Sequence, residues 1–321
     1  VTTPKRRTTG RSILIAAALA ALVLSHAASR TSASEARIPF ELKCGLIVVQ
    51  ASIDGATQQD FILDTGCGSD VMLSLSAAGE LGLLTGEEPN LAETVGAAQF
   101  LTKSRRSIGR FAFGGVVRRV EKPAVIDLGF VARQTGLKVA GLIGQKLLDD
   151  YVVTIDYPNR EIVLRTGDEA CAFRDEIESE GVRGVNLVRR GTERMLVEAK
   201  LGDMPGYYLL DTGAARGILY EPAATALKRI APEAVLAPAR SVQTAFEKVE
   251  VQHATVPRFR IGDVEFVDQE FALHDAPVMV SALRRETGLT LSGTIGSQLL
   301  SGFVVTIDSE RSKVYLARST P

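Results

Sequence analysis

Residues 141–164 read GLIGQKLLDDYVVTIDYPNREIVL and residues 293–316 read GTIGSQLLSGFVVTIDSERSKVYL; 11 of the 24 positions are identical without a gap. A match of that length within one chain is an internal repeat, and it restricts the fold to architectures made of two similar units. The repeat has upstream echoes. Phe61-Ile62-Leu63-Asp64-Thr65-Gly66 answers Tyr208-Leu209-Leu210-Asp211-Thr212-Gly213, and Arg110-Phe111-Ala112-Phe113-Gly114 answers Arg258-Phe259-Arg260-Ile261-Gly262. Asp64 stands 80 residues before Gly144, and Asp211 stands 85 before Gly296, so both halves keep the same landmarks in the same order.

Within each half the texture is short and strand-like. The segments 46–53, 61–63, 71–73, 110–113, 151–155 and 161–164 are apolar, β-branched or aromatic, and Gly, Asp, Asn and Pro separate them. Helices are predicted over 76–84 and 222–230. A second short helix should follow each Ile-Gly, where Leu147, Leu148 and Tyr151 (in the other half Leu299, Leu300 and Phe303) share a face. The polar stretch 165–184, with acids at 168, 169, 175, 176, 178 and 180, reads as a connector. The expected architecture is two similar β lobes, residues 34–172 and 173–321.

Residues 1–33 carry Lys5, Arg6, Arg7, Arg11 and Arg30 and no acid. A basic start, a twelve-residue apolar run from Ile13 to Leu24 and the small residues that follow make a secretory signal pattern. The run is short for a permanent span. Cleavage after Ala27 or after Ala33 fits, and the Sec and Tat routes stay open. The expected location is therefore outside the cytoplasm, periplasmic or secreted. Without this segment 32 basic residues face 38 acidic ones, a net charge of −6. Such a chain has no field to gather nucleic acid or an anionic membrane.

One Asp-Thr-Gly would mean little; average composition gives about 0.1 chance occurrences in a chain of this length. Here it occurs twice, each time after a bulky apolar run and with an Ile-Gly downstream in register. On these residues the chain resembles the pepsin/retropepsin superfamily of aspartic proteases over about residues 45–318, and is most similar to bacterial retropepsin-like proteins with both lobes in one polypeptide. The resemblance implies an all-β fold of two lobes forming a pseudo-dimer, with a few short helices and an interlobe cleft. It implies that Asp64 and Asp211 are the catalytic carboxylates. Thr65 and Thr212 would cross-bond to the opposite lobe's backbone, and Gly66 and Gly213 would let the chain turn beneath the carboxylates. Gly144 and Gly296 would lie in the loop that threads under the active-site turn. No metal, cofactor or covalent intermediate is implied; the partner is a protein or peptide substrate, and the enzyme works as a monomer.

The sequence departs from the family in three places. The residue after the motif is usually small or hydroxylic; Ala214 fits, but Cys67 is unusual. The candidate flaps, 94–102 and 242–249, carry Phe100 and Phe246 but no Tyr. Arg216 stands where the other half has Ser69, which either biases a substrate subsite toward acidic side chains or places a solvated arginine on the rim.

Other residues invite weaker readings. Cys67 has no Cys-His-Asn setting and reads as a small buried side chain. Cys44 and Cys171 flank the first lobe, and in an oxidising compartment their pairing would close it; the spacing leaves that open. Asp156 and Asp308 repeat at the ends of the Thr-Ile-Asp strands and read as turn caps beside Arg160 and Arg311. No HExxH, CxxC, GxSxG or phosphate loop occurs. Three functions compete: an exported aspartic endopeptidase, a catalytically silent peptide-binding module of the same fold, and an inert envelope scaffold. The pair of intact motifs favours the first.

Overall fold

The two Val-Val-Thr-Ile-Asp copies of the repeat lie side by side. Strand Val152–Asp156 pairs antiparallel with Phe303–Asp308, Thr154 opposite Thr306, and the two threonine hydroxyls are 3.1 Å apart. Antiparallel pairing of identical segments about their centre is a local two-fold, and this one relates the two halves of the chain. The computed structural model describes residues 35–84, 102–104, 106–190, 193–234, 238–243 and 248–318.

Around that pair a sheet shared by both halves continues outward in matching order. On one side come Glu161–Arg165 and then Glu35–Pro39; on the other come Lys313–Arg318 and then Val185–Val188. All five residues of Val152–Asp156 are buried, as expected for a strand covered on both faces. Val153, Ile155, Val305 and Ile307 join the main core beneath the lobes. Val152 and Val304 face the other way, against Ala170, Phe173 and Ile177.

Those last three residues belong to helix Gly167–Ser179, which corrects the expectation of a plain connector. Apolar residues at 170, 173 and 177 follow helical spacing inside an otherwise acidic stretch, and Asp168 and Glu169 in the first turn suit the positive end of the helix dipole. The 172/173 division between the expected lobes falls inside this helix. Arg165, wholly buried beneath it, stacks over the Phe173 ring at 4.2 Å and pairs with Glu35 at 3.0 Å.

Each lobe repeats one motif. The strand ending in Ile143-Gly144 runs parallel to Gln59–Asp64 and antiparallel to Val71–Ser74, so it is inserted between the strand that enters the Asp-Thr-Gly turn and the strand that leaves it. Leu291–Ile295 does the same between Met204–Leu210 and Gly217–Leu219. Two mostly β lobes joined by a common sheet, with short helices, are the pepsin/retropepsin-like pseudo-dimer that the resemblance implies. The short helices fall at Leu75–Glu80, Gln145–Leu148, Ala223–Ile230 and Ser297–Leu300, close to the predicted places. Two more, Gly129–Thr135 and Pro277–Thr287, were not foreseen; each ends at a left-handed glycine, Gly136 and Gly288.

The expected signal segment and the first flap candidate up to residue 101 lie outside the described residues. In the second lobe Arg240–Gln243 pairs with Lys248–Ile261 as a hairpin, with Phe246 outside the described residues. The Cys44–Cys171 pairing is corrected: all three cysteines are free thiols. Cys44 sits in an exposed turn with its Sγ 3.8 Å from the Thr135 carbonyl, whereas Cys171 lies on the exposed side of the helix under the shared sheet. Among the described residues no helix is long and apolar enough to cross a membrane.

Candidate active site

The Asp-Thr-Gly turns of the two lobes meet at the local two-fold. Thr65 and Thr212 are buried, and their hydroxyls make four hydrogen bonds across the two turns. The Thr65 hydroxyl donates to the Leu210 carbonyl (2.9 Å) and accepts from the Thr212 N–H (3.0 Å). The Thr212 hydroxyl donates to the Leu63 carbonyl (2.7 Å) and accepts from the Thr65 N–H (3.1 Å). Each hydroxyl thus satisfies a backbone donor and a backbone acceptor that would otherwise be stranded in the interface. The two turns are locked as one unit.

This lock brings Asp64 and Asp211 within hydrogen-bonding reach of each other. Asp64 Oδ1 accepts the Cys67 N–H at 2.9 Å; Asp211 Oδ1 accepts the N–H groups of Gly213 (2.8 Å) and Ala214 (3.1 Å). Burial, and then the facing Asp211 charge, hold Asp64 well above the usual carboxylate range. Burial raises Asp211 as well, opposed by the hydrogen bonds from Asp64, Gly213 and Ala214 and by the Arg194 charge. Two such groups titrate as one coupled pair, and at intermediate pH the pair holds a single proton.

Gly66 and Gly213 matter for a different reason from the expected one. Neither has a positive φ. A Cβ on Gly66 would stand 2.5 Å from the Asp211 carboxyl carbon, and one on Gly213 would stand 2.7 Å from the Asp64 oxygens. Each glycine makes room for the opposite lobe's carboxylate. Gly144 ends strand Gly141–Gly144, and Gly296 caps helix Ser297–Leu300 just past its strand; a Cβ on either would stand 2.7 Å from the carbonyl of Cys67 or Ala214. The next residues complete the clasp: Gln145 N–H donates to the Cys67 carbonyl (2.8 Å), and Ser297 N–H to that of Ala214 (2.9 Å).

Cys67 is buried, and burial pushes its thiol up to about 12, with the nearby Asp64 charge adding to it. A thiol of that kind stays protonated and is a poor nucleophile. Ser69 is half-buried beside this thiol. Arg216 is half exposed, and its guanidinium pairs with Glu270 at 2.8 Å, so the positive charge expected at the rim is matched on the protein itself. Asp156 and Asp308 do accept turn N–H groups, from Asn159 and Arg311. Asp156 also takes the Asn159 amide, and Asp308 is held by both arms of Arg174. Among the described residues no three His, Cys, Asp or Glu side chains converge as a metal site.

Arg194 was missed by the sequence reading. It precedes strand Leu196–Leu201 of the second lobe and reaches across to the first, where its Nε donates to the Gly66 carbonyl at 3.0 Å. Its other arm lies 3.5 Å from the Glu286 carboxylate. No repeat or motif marks this position, and only the fold brings it under the turn.

No curated protein matches the chain. A family model described as aspartyl protease matches it twice, over residues 49–147 and 197–299. Each match spans one Asp-Thr-Gly turn and its Ile-Gly strand, so the two matches divide as the lobes do, and the chain belongs to the aspartyl protease family.

Proposed function

We propose that the protein is an aspartic endopeptidase that hydrolyses peptide bonds with a water activated between Asp64 and Asp211. The observation that carries this reading is the facing pair of carboxyl groups, both raised and within hydrogen-bonding reach, in a family of proteases. A pure peptide binder gains nothing from two carboxylates placed so that they repel.

In the working state one carboxyl is ionised and the other protonated. The carboxylate takes a proton from the water as its oxygen attacks the scissile carbonyl carbon. The protonated partner hydrogen-bonds to the carbonyl oxygen and stabilises the charge that develops there. Collapse of the tetrahedral intermediate breaks the C–N bond as the leaving nitrogen gains a proton from the pair. The Thr65–Thr212 lock keeps the two carboxyls in register through these steps.

The basic and apolar N-terminal pattern supports action outside the cytoplasm, on proteins or peptides of the envelope or exterior. The discriminating experiment incubates the protein with a diverse peptide mixture and reads new termini by mass spectrometry. Cleavage by the wild type and none by a folded Asp64→Asn variant supports the reading. Binding of peptides without any cleavage identifies a silent module instead.

A further inference from the structure

We propose that Tyr157 is a positioning residue: its hydroxyl heads a relay of donors, through Ser297 and the Thr212–Gly213 peptide group, that ends on Asp211 and makes Asp211 the member of the pair that carries the negative charge. The inference rests on the aspartic-protease reading of the pair and adds which carboxyl plays which part.

The relay is continuous. Tyr157 and Ser297 are wholly buried, with their oxygens 3.2 Å apart. Ser297 Oγ donates to the Thr212 carbonyl at 3.0 Å. That carbonyl and the Gly213 N–H belong to the same peptide group, and the Gly213 N–H donates to Asp211 Oδ1 at 2.8 Å. The direction is forced by counting hydrogens. A carbonyl can only accept, so the single hydroxyl hydrogen of Ser297 is committed to Thr212, and the Tyr157 O–H must donate to Ser297. Burial pushes the Tyr157 phenol up, which keeps that proton in place. Each donor in such a chain polarises the next, so the Gly213 N–H becomes a stronger donor to the carboxylate.

The first lobe lacks the matching relay. By the repeat, Gln145 occupies the place of Ser297, and Ser309 that of Tyr157. The Gln145 amide turns away from the catalytic turn, donating to Asp149 Oδ1 (2.8 Å) and Ser309 Oγ (3.2 Å). The relay is therefore confined to the second lobe's turn by two positions at which the copies of the repeat differ. The charged and titratable groups facing Asp211 are Asp64 and Arg194; those facing Tyr157 are Asp211 and Arg160. Arg194 acts in the same sense as the relay, and the test leaves it unchanged.

A hydrogen bond to the charged form lowers a carboxyl's proton affinity, so loss of the relay raises the first ionisation of the pair. The test follows the carboxyl carbons of Asp64 and Asp211 by NMR in the full chain labelled at aspartate, with assignment by Asp64→Asn and Asp211→Asn. In the wild type Asp211 should ionise first. In Tyr157→Phe and Ser297→Ala that ionisation should move up by about 0.3–1 pH unit. Ser297→Thr, which keeps the hydroxyl, should restore it. Tyr208→Phe, which removes a buried hydroxyl with no hydrogen-bond partner among the described residues, should leave it unmoved. Asp64 ionising first, or coincident titrations in all variants, overturns the relay. Peptide cleavage with an unmoved titration overturns the relay alone, whereas the expected shift without any cleavage supports the relay and removes the peptidase reading.

Discussion

Gly66 lies directly against the carboxyl group of Asp211, on the other lobe, so closely that a methyl group on Gly66 would stand 2.5 Å from the carboxyl carbon. Gly213 stands in the same relation to Asp64. Each half of the chain thus limits the space in which the other half's acid can sit. Gly66→Ala or Gly213→Ala must push the facing carboxyl aside or spread the Thr65–Thr212 lock. Overpacking of this kind costs about 1–3 kcal/mol. Peptidase activity should fall at least about a hundredfold, since small displacements of a catalytic group cost that much. Kinetics and thermal melting of both variants check this; near wild-type kcat/KM in either would show that the close approach relaxes without harm.

How much of this was legible beforehand depended on whether a feature repeats. The Asp-Thr-Gly turns, the Ile-Gly strands and the Val-Val-Thr-Ile-Asp strands occur twice, and their equivalence could be read by laying one half over the other. What occurs once was hidden. Arg194 has no counterpart in the first half, where Ile47 stands at the same interval before the motif, and its role exists only because the segment before strand Leu196–Leu201 lies against the other lobe's turn. Helix Gly167–Ser179 was masked by its own acids, although Ala170, Phe173 and Ile177 carried the helical spacing. Asp308 caps the turn at Arg311, which is near in sequence, but its ion-pair partner Arg174 was hidden because only the helix packed under the shared sheet brings it there.

Asp64→Asn and Asp211→Asn should each abolish cleavage, because the shared-proton mechanism assigns each carboxyl a part the other cannot fill. The same variants report on stability. Both carboxyls are raised in the folded protein, chiefly by burial. Between the ordinary carboxylate range and the raised one, the folded pair holds a proton that the unfolded chain has released. Stability therefore falls as pH rises through that window. An asparagine removes the penalty, which amounts to about 1.4 kcal/mol per pKa unit. Each variant should melt higher than wild type at pH 7, with the gain vanishing near pH 3. Equal melting temperatures at both pH values would contradict the raised pair, and residual turnover above a tenth of wild type would contradict the catalytic roles.

Arg194→Met removes a charge that favours ionised Asp211 and a donor to the Gly66 carbonyl. The acid limb of the pH–rate curve should move upward, because Asp211 then holds its proton to higher pH. Glu286, with a buried carboxylate oxygen beside Arg194, loses its ion-pair partner as well. The variant should lose about 1–3 kcal/mol of stability. Arg194→Met combined with Glu286→Gln should recover part of that stability without restoring the pH profile. Recovery of both together would mean that Arg194 acts only through Glu286.

Both Asp-Thr-Gly turns and both halves of the shared sheet come from one chain. Specific activity should therefore stay flat on dilution, unlike that of an enzyme whose site is completed by a second copy. Activity measured from micromolar to nanomolar protein, with light scattering at the upper end, checks this. A steep fall on dilution accompanied by dimers at high concentration would refute it.

The residue after each Asp-Thr-Gly sets a last property. A hydroxyl there can donate to the neighbouring carboxylate, favouring its charged form and lowering its pKa. Here Ala214 offers Asp211 only its N–H, at 3.1 Å, and Cys67 offers Asp64 its N–H, at 2.9 Å, with a thiol that is a weak donor. The shared proton is then held more tightly than it would be beside Ser or Thr, and activity should extend toward neutral pH. Ala214→Ser adds the missing donor and should move the acid limb of kcat/KM downward. The shift should be roughly half a unit to one unit, the equivalent of a hydrogen bond worth about 1 kcal/mol. The direction is opposite to that of Arg194→Met, which removes a group favouring the charged form. Measuring both profiles on one peptide tests the electrostatic account as a whole. If the two variants shift in the same direction, or if the serine variant moves toward alkali, proton affinity at this pair is not set by the donors and charge around Asp211.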